Sequence, residues 1–137
     1  MGTTYTVRIV SAPPDVSAHR IRTVIDEELE KVDLAMSTYR TDSEISRLNA
    51  APSSEWIPAS AELATVLNAA LQVGGESQGA FDVTIAPLVD LWGFGPLAPE
   101  GAPMPKESDI ERARAATGLH RLEVRIHPPA IRKHSGD

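Results

Sequence analysis

A chain of 137 residues with 42% apolar side chains is long enough for one domain with a buried core and too short for two ordinary ones. It carries 13 basic and 19 acidic residues, a net charge of −6, and both halves are mildly acidic, so no basic face awaits a phosphate backbone and nucleic acid is excluded as a general partner. The absence of cysteine removes disulfides, iron–sulfur clusters, thiol nucleophiles and thiolate zinc sites, and Met1 leads into strand-like sequence with no signal peptide or membrane span that can be read from it.

Residues 3–11 alternate, with Tyr5, Val7 and Ile9 on one face, which predicts a half-buried strand. Pro13 and Pro14 break it, and Asp15 is placed to cap a helix. From about 17 to 36 the period becomes helical, and Ile21, Val24, Ile25, Leu29, Val32 and Met36 share a stripe expected to be buried. Ser37–Arg40 leave this helix, and Thr41 with Glu44 reads as a capping box for a short helix to Leu48. Residues 49–58 read as a loop. Ser60 caps a helix over 61–73 whose Leu63, Val66, Leu67 and Leu71 are expected inside, and Gly74 and Gly75 are expected to stop it. Phe81, Val83 and Ile85 predict a short strand with Asp82 on its outward face.

Pro87 starts a helical turn through Trp92, and the Gly/Pro density of 93–106 predicts a long loop. Ser108 with Glu111 suggests a second capping box, Ile110 and Ala113 face inward, and Gly118 ends that helix. Leu122, Val124 and Ile126 alternate as a last strand closed by Pro128 and Pro129, and 132–137 read as a frayed end. The order of elements is α+β with a small sheet.

Two motifs fail on context. Gly75–Gly79 matches G-x-S-x-G, but a nucleophile elbow needs a strand before the serine and a helix after it, and here the order is reversed. Gly93–Ala98 has dinucleotide-loop spacing, yet Pro96 and Pro99 forbid the helix that must come after it. His19, His120, His127 and His134 lack metal-ligand spacing.

Three pieces carry chemistry. Tyr39 sits in a loop between a helix end and a helix start; it either stacks on a flat heterocycle or plugs the core between the two helices. In Gly79–Thr84, Gly79 permits close backbone approach, and Asp82 either accepts from a heterocycle N–H or sugar hydroxyl or caps local amides. Trp92 and Phe94, separated by Gly93, form either an aromatic wall over a ligand or a core anchor.

The runs MGTTY at 1–5, STYRTDSEISRLN at 37–49 and GAFDVTIAPLVDLWGFGP at 79–96 resemble the FAD:protein FMN transferases, the ApbE-type flavin transferases, and the resemblance extends to about Ile131. It implies that residues 1–137 are the flavin-binding, N-terminal portion of a larger ApbE-like α+β fold, a mostly antiparallel sheet covered by helices. It implies FAD as donor, magnesium as metal, and transfer of FMN to a threonine or serine of a target flavoprotein with release of AMP.

Carried over, the FAD contacts fall on Met1, Tyr39, Ala80, Phe81 and Asp82, with Tyr39 stacked on the isoalloxazine, Met1 near the ring, and Asp82 a binding residue rather than a base. Catalytic residues and metal ligands are expected outside this chain, in a segment like DLSAIAKGYAVD and an Asp/Thr metal site beyond Asp137. The family also implies work at the cell envelope. Two other readings share the residues: a magnesium-dependent FAD pyrophosphatase on the same scaffold, and a non-catalytic flavin-binding or interaction module that forms a homodimer to complete its sheet.

Overall fold

The computed structural model of the protein describes residues 4–11, 13, 15–52, 54–95 and 104–134. The chain divides into two compact units, Met1–Arg47 and Leu48–Asp137.

In the first unit the helical stripe folds as α1, Ala18–Met36. Its cap is Ser17, whose side chain accepts from the Arg20 N–H at 3.2 Å, and not Asp15. The stripe is less covered than expected: Ile21, Ile25 and Leu29 are half-buried, and Val24 and Val32 are exposed. Residues 4–9 belong to no strand, and Tyr5, Val7 and Ile9 are exposed. Alternation predicts a strand only where a partner edge exists to take its amides, and no such edge pairs with this segment among the described residues. The segment instead borders an open groove with Ile21, Arg22 and Ile25 of α1, and the Tyr5 hydroxyl donates to Asp26 at 2.6 Å. A second helix, α2, runs Glu44–Ala50. Ser43, fully buried, accepts the Ser46 N–H and so displaces Thr41 as its cap.

In the second unit the sheet is antiparallel with order β1–β3–β2, where β1 is Trp56–Pro58, β2 Leu122–Ile126 and β3 Pro129–Lys133. Alternation predicts three strands and three occur, yet only β2 lies where alternation places one. Residues 81–85 form a turn in place of the expected strand. β1 is three residues long and ends in proline, too little pattern to separate it from a loop. β3 begins at Pro129, which the sequence presents as a terminator. A proline is tolerated at the first position of a strand, and Arg132 and Lys133 therefore belong to the sheet and not to a frayed end.

Helix α3, Ala61–Glu76, packs on β2 and β3, and its buried Leu63, Ala64 and Leu67 form the core with Ala130 and Ile131. Ser60 caps it as expected, accepting the Leu63 N–H at 3.2 Å. Val66 is exposed and Leu71 half-buried, so the inward stripe is narrower than its period suggests. Gly74 and Gly75 continue the helix rather than stop it. Gly74 is buried where a Cβ would come within 2.6 Å of Leu119 and 3.0 Å of the Phe81 carbonyl, so its lack of a side chain serves packing.

Helix α4, Ala86–Leu91, carries Pro87 in its first turn as expected and packs against α5, Glu107–Ala115. Ser108 lies inside the first turn of α5, whose N-cap is Lys106 with no side-chain bond, so the second capping box does not form. α5 ends at Ala115, before Gly118, and Gly118 at φ 135° opens a 3-10 turn over Leu119–Arg121. Within the 93–106 loop, residues 96–103 lie outside the described residues, and its flanks carry no regular element. No helix among the described residues is long and apolar enough to cross a membrane.

Candidate functional site

The sequence-predicted contacts divide between the two units. Met1 lies outside the described residues. Tyr39 belongs to the first unit; Ala80, Phe81 and Asp82 belong to the second.

Tyr39 occupies the α1–α2 turn with 78% of its surface exposed, so it fills no core in this chain. Its neighbours build the turn. The Arg40 guanidinium donates to Glu30 at 2.7 Å and, through Nε and Nη2, to both Asp42 oxygens at 2.9 Å. This two-pronged pair fixes orientation as well as charge. The guanidinium holds the Asp42 carboxyl below its ordinary range, and the carboxylates of Asp42 and Glu30 raise the Arg40 pKa. Beneath the turn, the buried Ser43 hydroxyl lies 2.6 Å from the Ser37 carbonyl and 3.0 Å from that of Arg40. The backbone is therefore anchored on both sides of Tyr39 while the ring itself stands free.

The Ala80–Asp82 segment is a reversal after α3. Gln78 at φ 55° and Gly79 at φ 83° turn the chain, and the Gly79 N–H donates back to the Gly74 carbonyl at 2.9 Å. Gly79 takes a positive φ that favours glycine, and a Cβ there would meet no protein atom within 4 Å. The Ser77 hydroxyl accepts the Phe81 N–H at 3.1 Å and reaches the Gly74 carbonyl at 3.1 Å. Phe81 is 44% exposed.

Asp82 is half-buried and does not sit on a strand. Its Oδ1 accepts from both the Thr84 N–H, at 2.8 Å, and the Thr84 hydroxyl, at 2.7 Å. That local bond competes with sheet pairing and accounts for the turn. Oδ2 has no protein partner among the described residues. Asp82 therefore caps the local Thr84 amide with one oxygen, as the turn-capping alternative expects, and leaves the other as an acceptor with no protein partner among the described residues.

Trp92 and Phe94 stand at the end of α4, 44% and 77% exposed, and neither is a core anchor. Gly95 lies where a Cβ would overlap Asp90, which fixes the glycine there. Sequence reasoning missed the partner of Asp82. The Asp-x-Thr spacing at 82–84 signals an Asx turn and could have shown it. It also missed the polar sheet face, where Arg125 and Arg132 each lie 4.8 Å from the Trp56 ring centre and Arg132 pairs with Glu123. Among the described residues no group of three or more His, Asp or Glu side chains could hold a metal ion.

A family model described as the ApbE family matches residues 1–136. The FAD:protein FMN transferase of Vibrio cholerae serotype O1 is 42% identical over 124 residues, covering 90% of this chain and 37% of that protein. Its counterpart from Escherichia coli strain K12 is 35% identical over 81% of this chain and 32% of its own length. Among solved structures, the flavin transferase ApbE from Vibrio cholerae superposes with a TM-score of 0.82 at 39% identity, over 90% of this chain and 39% of that one. The apo form of Pseudomonas stutzeri flavinyl transferase ApbE gives 0.78 at 34% identity, over 88% and 38%. The chain spans between 32% and 39% of these relatives, their N-terminal part. An α+β chain whose antiparallel sheet, helices and sequence match those proteins, within a family match from residue 1 to residue 136, belongs to the ApbE family.

Proposed function

We propose that this chain is the flavin-holding part of an FAD:protein FMN transferase. In that reaction a threonine or serine hydroxyl of a target flavoprotein attacks the phosphorus of the FMN half of FAD. A new phosphoester bond forms as the pyrophosphate P–O bond breaks, AMP leaves, and the hydroxyl proton is lost to a base. The work is positioning and charge neutralisation. The described residues of this chain offer no acidic cluster that fits magnesium, and no step here passes through a metal.

The chain's own share is to grip the flavin. Tyr39, exposed on an anchored turn, supplies a face for the isoalloxazine. Ala80 and Phe81 line the approach, and Asp82 accepts a hydrogen bond from the flavin. The observation that carries the reading is Asp82: one carboxylate oxygen held by Thr84, the other unsatisfied, on a reversal beside an exposed phenyl ring.

Calorimetric titration with FAD tests it. Tyr39→Ala should weaken binding by about 1–3 kcal/mol, the range for one aromatic stacking contact. Asp82→Ala should weaken it by about 1–3 kcal/mol through loss of a hydrogen bond at a partly buried acceptor. Both variants binding FAD like the parent would contradict the assignment.

A further inference from the structure

The geometry points to Thr84 as a positioning residue that aims the Asp82 carboxylate at the ligand, and this rests on the flavin reading of Asp82. The Thr84 hydroxyl accepts the Gly118 N–H at 2.7 Å, although Gly118 lies 34 residues away. A hydroxyl has one proton, and here it points at Asp82 Oδ1, 2.7 Å away. The Thr84 N–H adds a second bond to the same oxygen at 2.8 Å. Oδ1 is thus fixed by two donors from one residue, and that residue is tied to the turn after α5. With Oδ1 held, rotation about the Cβ–Cγ bond is arrested and Oδ2 keeps one direction. A carboxylate with one such oxygen can only accept, so the ligand group it meets must be a donor: a heterocycle N–H or a sugar-type hydroxyl.

Gly118 is itself specialised for this. Its φ of 135° suits glycine alone, and a Cβ there would come within 2.5 Å of the His120 ring. The donor that orients the Thr84 hydroxyl is therefore set by a backbone shape that other residues resist. The chain of contacts from Gly118 N–H to Thr84 Oγ1 to Asp82 Oδ1 joins the α5 turn to the reversal after α3.

The test is a double-mutant cycle read by FAD titration, with thermal melts beside it. Thr84→Val keeps the β-branched shape and removes the hydroxyl, and it should lower FAD affinity about tenfold, the usual worth of a lost charge-assisted hydrogen bond. Thr84→Ser keeps the hydroxyl and should stay within about threefold of the parent. In an Asp82→Ala background, Thr84→Val should change affinity by less than about twofold, because its object is gone. Should Thr84→Val fail to fold, Thr84→Ala takes its place in the cycle. An equal loss in both backgrounds would show that Thr84 acts through general stability and would overturn the inference. Unchanged affinity in Thr84→Val, with a clear loss in Asp82→Ala, would overturn it while leaving the flavin reading intact. Unchanged affinity in Asp82→Ala would remove the flavin reading of that residue and this inference with it.

Discussion

Tyr39, the proposed flavin-stacking residue, is not a packing aromatic. The ring is mostly exposed, and the turn beneath it is held by Arg40 and by the buried Ser43 hydroxyl. Tyr39→Ala should therefore leave the unfolding free energy within about 0.5 kcal/mol of the parent, as surface substitutions do, while FAD binding falls. Ser43→Ala should do the reverse and cost about 1–3 kcal/mol of stability, since it strands the Ser46 amide and leaves the Ser37 carbonyl only the longer bond from the Ser46 hydroxyl, as chemical denaturation would show.

Acid should also weaken this turn. Arg40 lowers the Asp42 carboxyl, and Arg132, followed by His134, lowers that of Glu123. A carboxyl whose pKa drops on folding adds stability above its unfolded value and loses that contribution as pH falls through the folded value. The melting temperature should therefore be level above roughly pH 5 and decline below about pH 4, and circular-dichroism melts across that range would register it.

At the scale of elements, two adjacent helical glycines make opposite predictions. A Cβ on Gly75 meets nothing within 4 Å, so Gly75→Ala should stabilise α3 by about 0.5–1 kcal/mol through helix propensity. A Cβ on Gly74 meets Leu119 and the Phe81 carbonyl. The Leu119 methyls can move, but the Phe81 backbone cannot move cheaply, so Gly74→Ala should destabilise by about 1–3 kcal/mol, as overpacking does. Paired thermal melts decide both. Gly74→Ala should also disturb the Ala80–Asp82 reversal, whose Gly79 amide bonds back to Gly74.

The long elements are legible in the sequence because their period is local. α1, α3 with its Ser60 cap, the Pro87 helix and β2 all lie where pattern puts them. Some misses turn on local side-chain bonds, as in the 81–85 turn and the Ser17 and Ser43 caps, and others on a partner distant in the chain. β3 is a strand because β1 and β2 flank it; residues 4–9 are not one because no edge receives them; Gly74 continues a helix because Leu119 packs over it. The site divides in the same way. Tyr39 and the Ala80–Asp82 run stand out by residue type and resemblance, whereas the Gly118 link to Thr84 spans 34 residues and leaves no local signature.

At the scale of the whole molecule, the chain spans 37% of its Vibrio cholerae relative, and its described residues hold no metal-binding cluster. The 137-residue chain mixed with FAD, magnesium and a flavinylation acceptor should give no fluorescent acceptor band on a gel. A clear band would mean that these residues carry the transfer chemistry themselves.

If these residues hold the flavin end of FAD, a competition titration will register it. FAD should bind the chain saturably at one site; FMN should displace it, and AMP at the same concentration should not. Absence of saturable FAD binding, or displacement by AMP with FMN inert, would contradict the account.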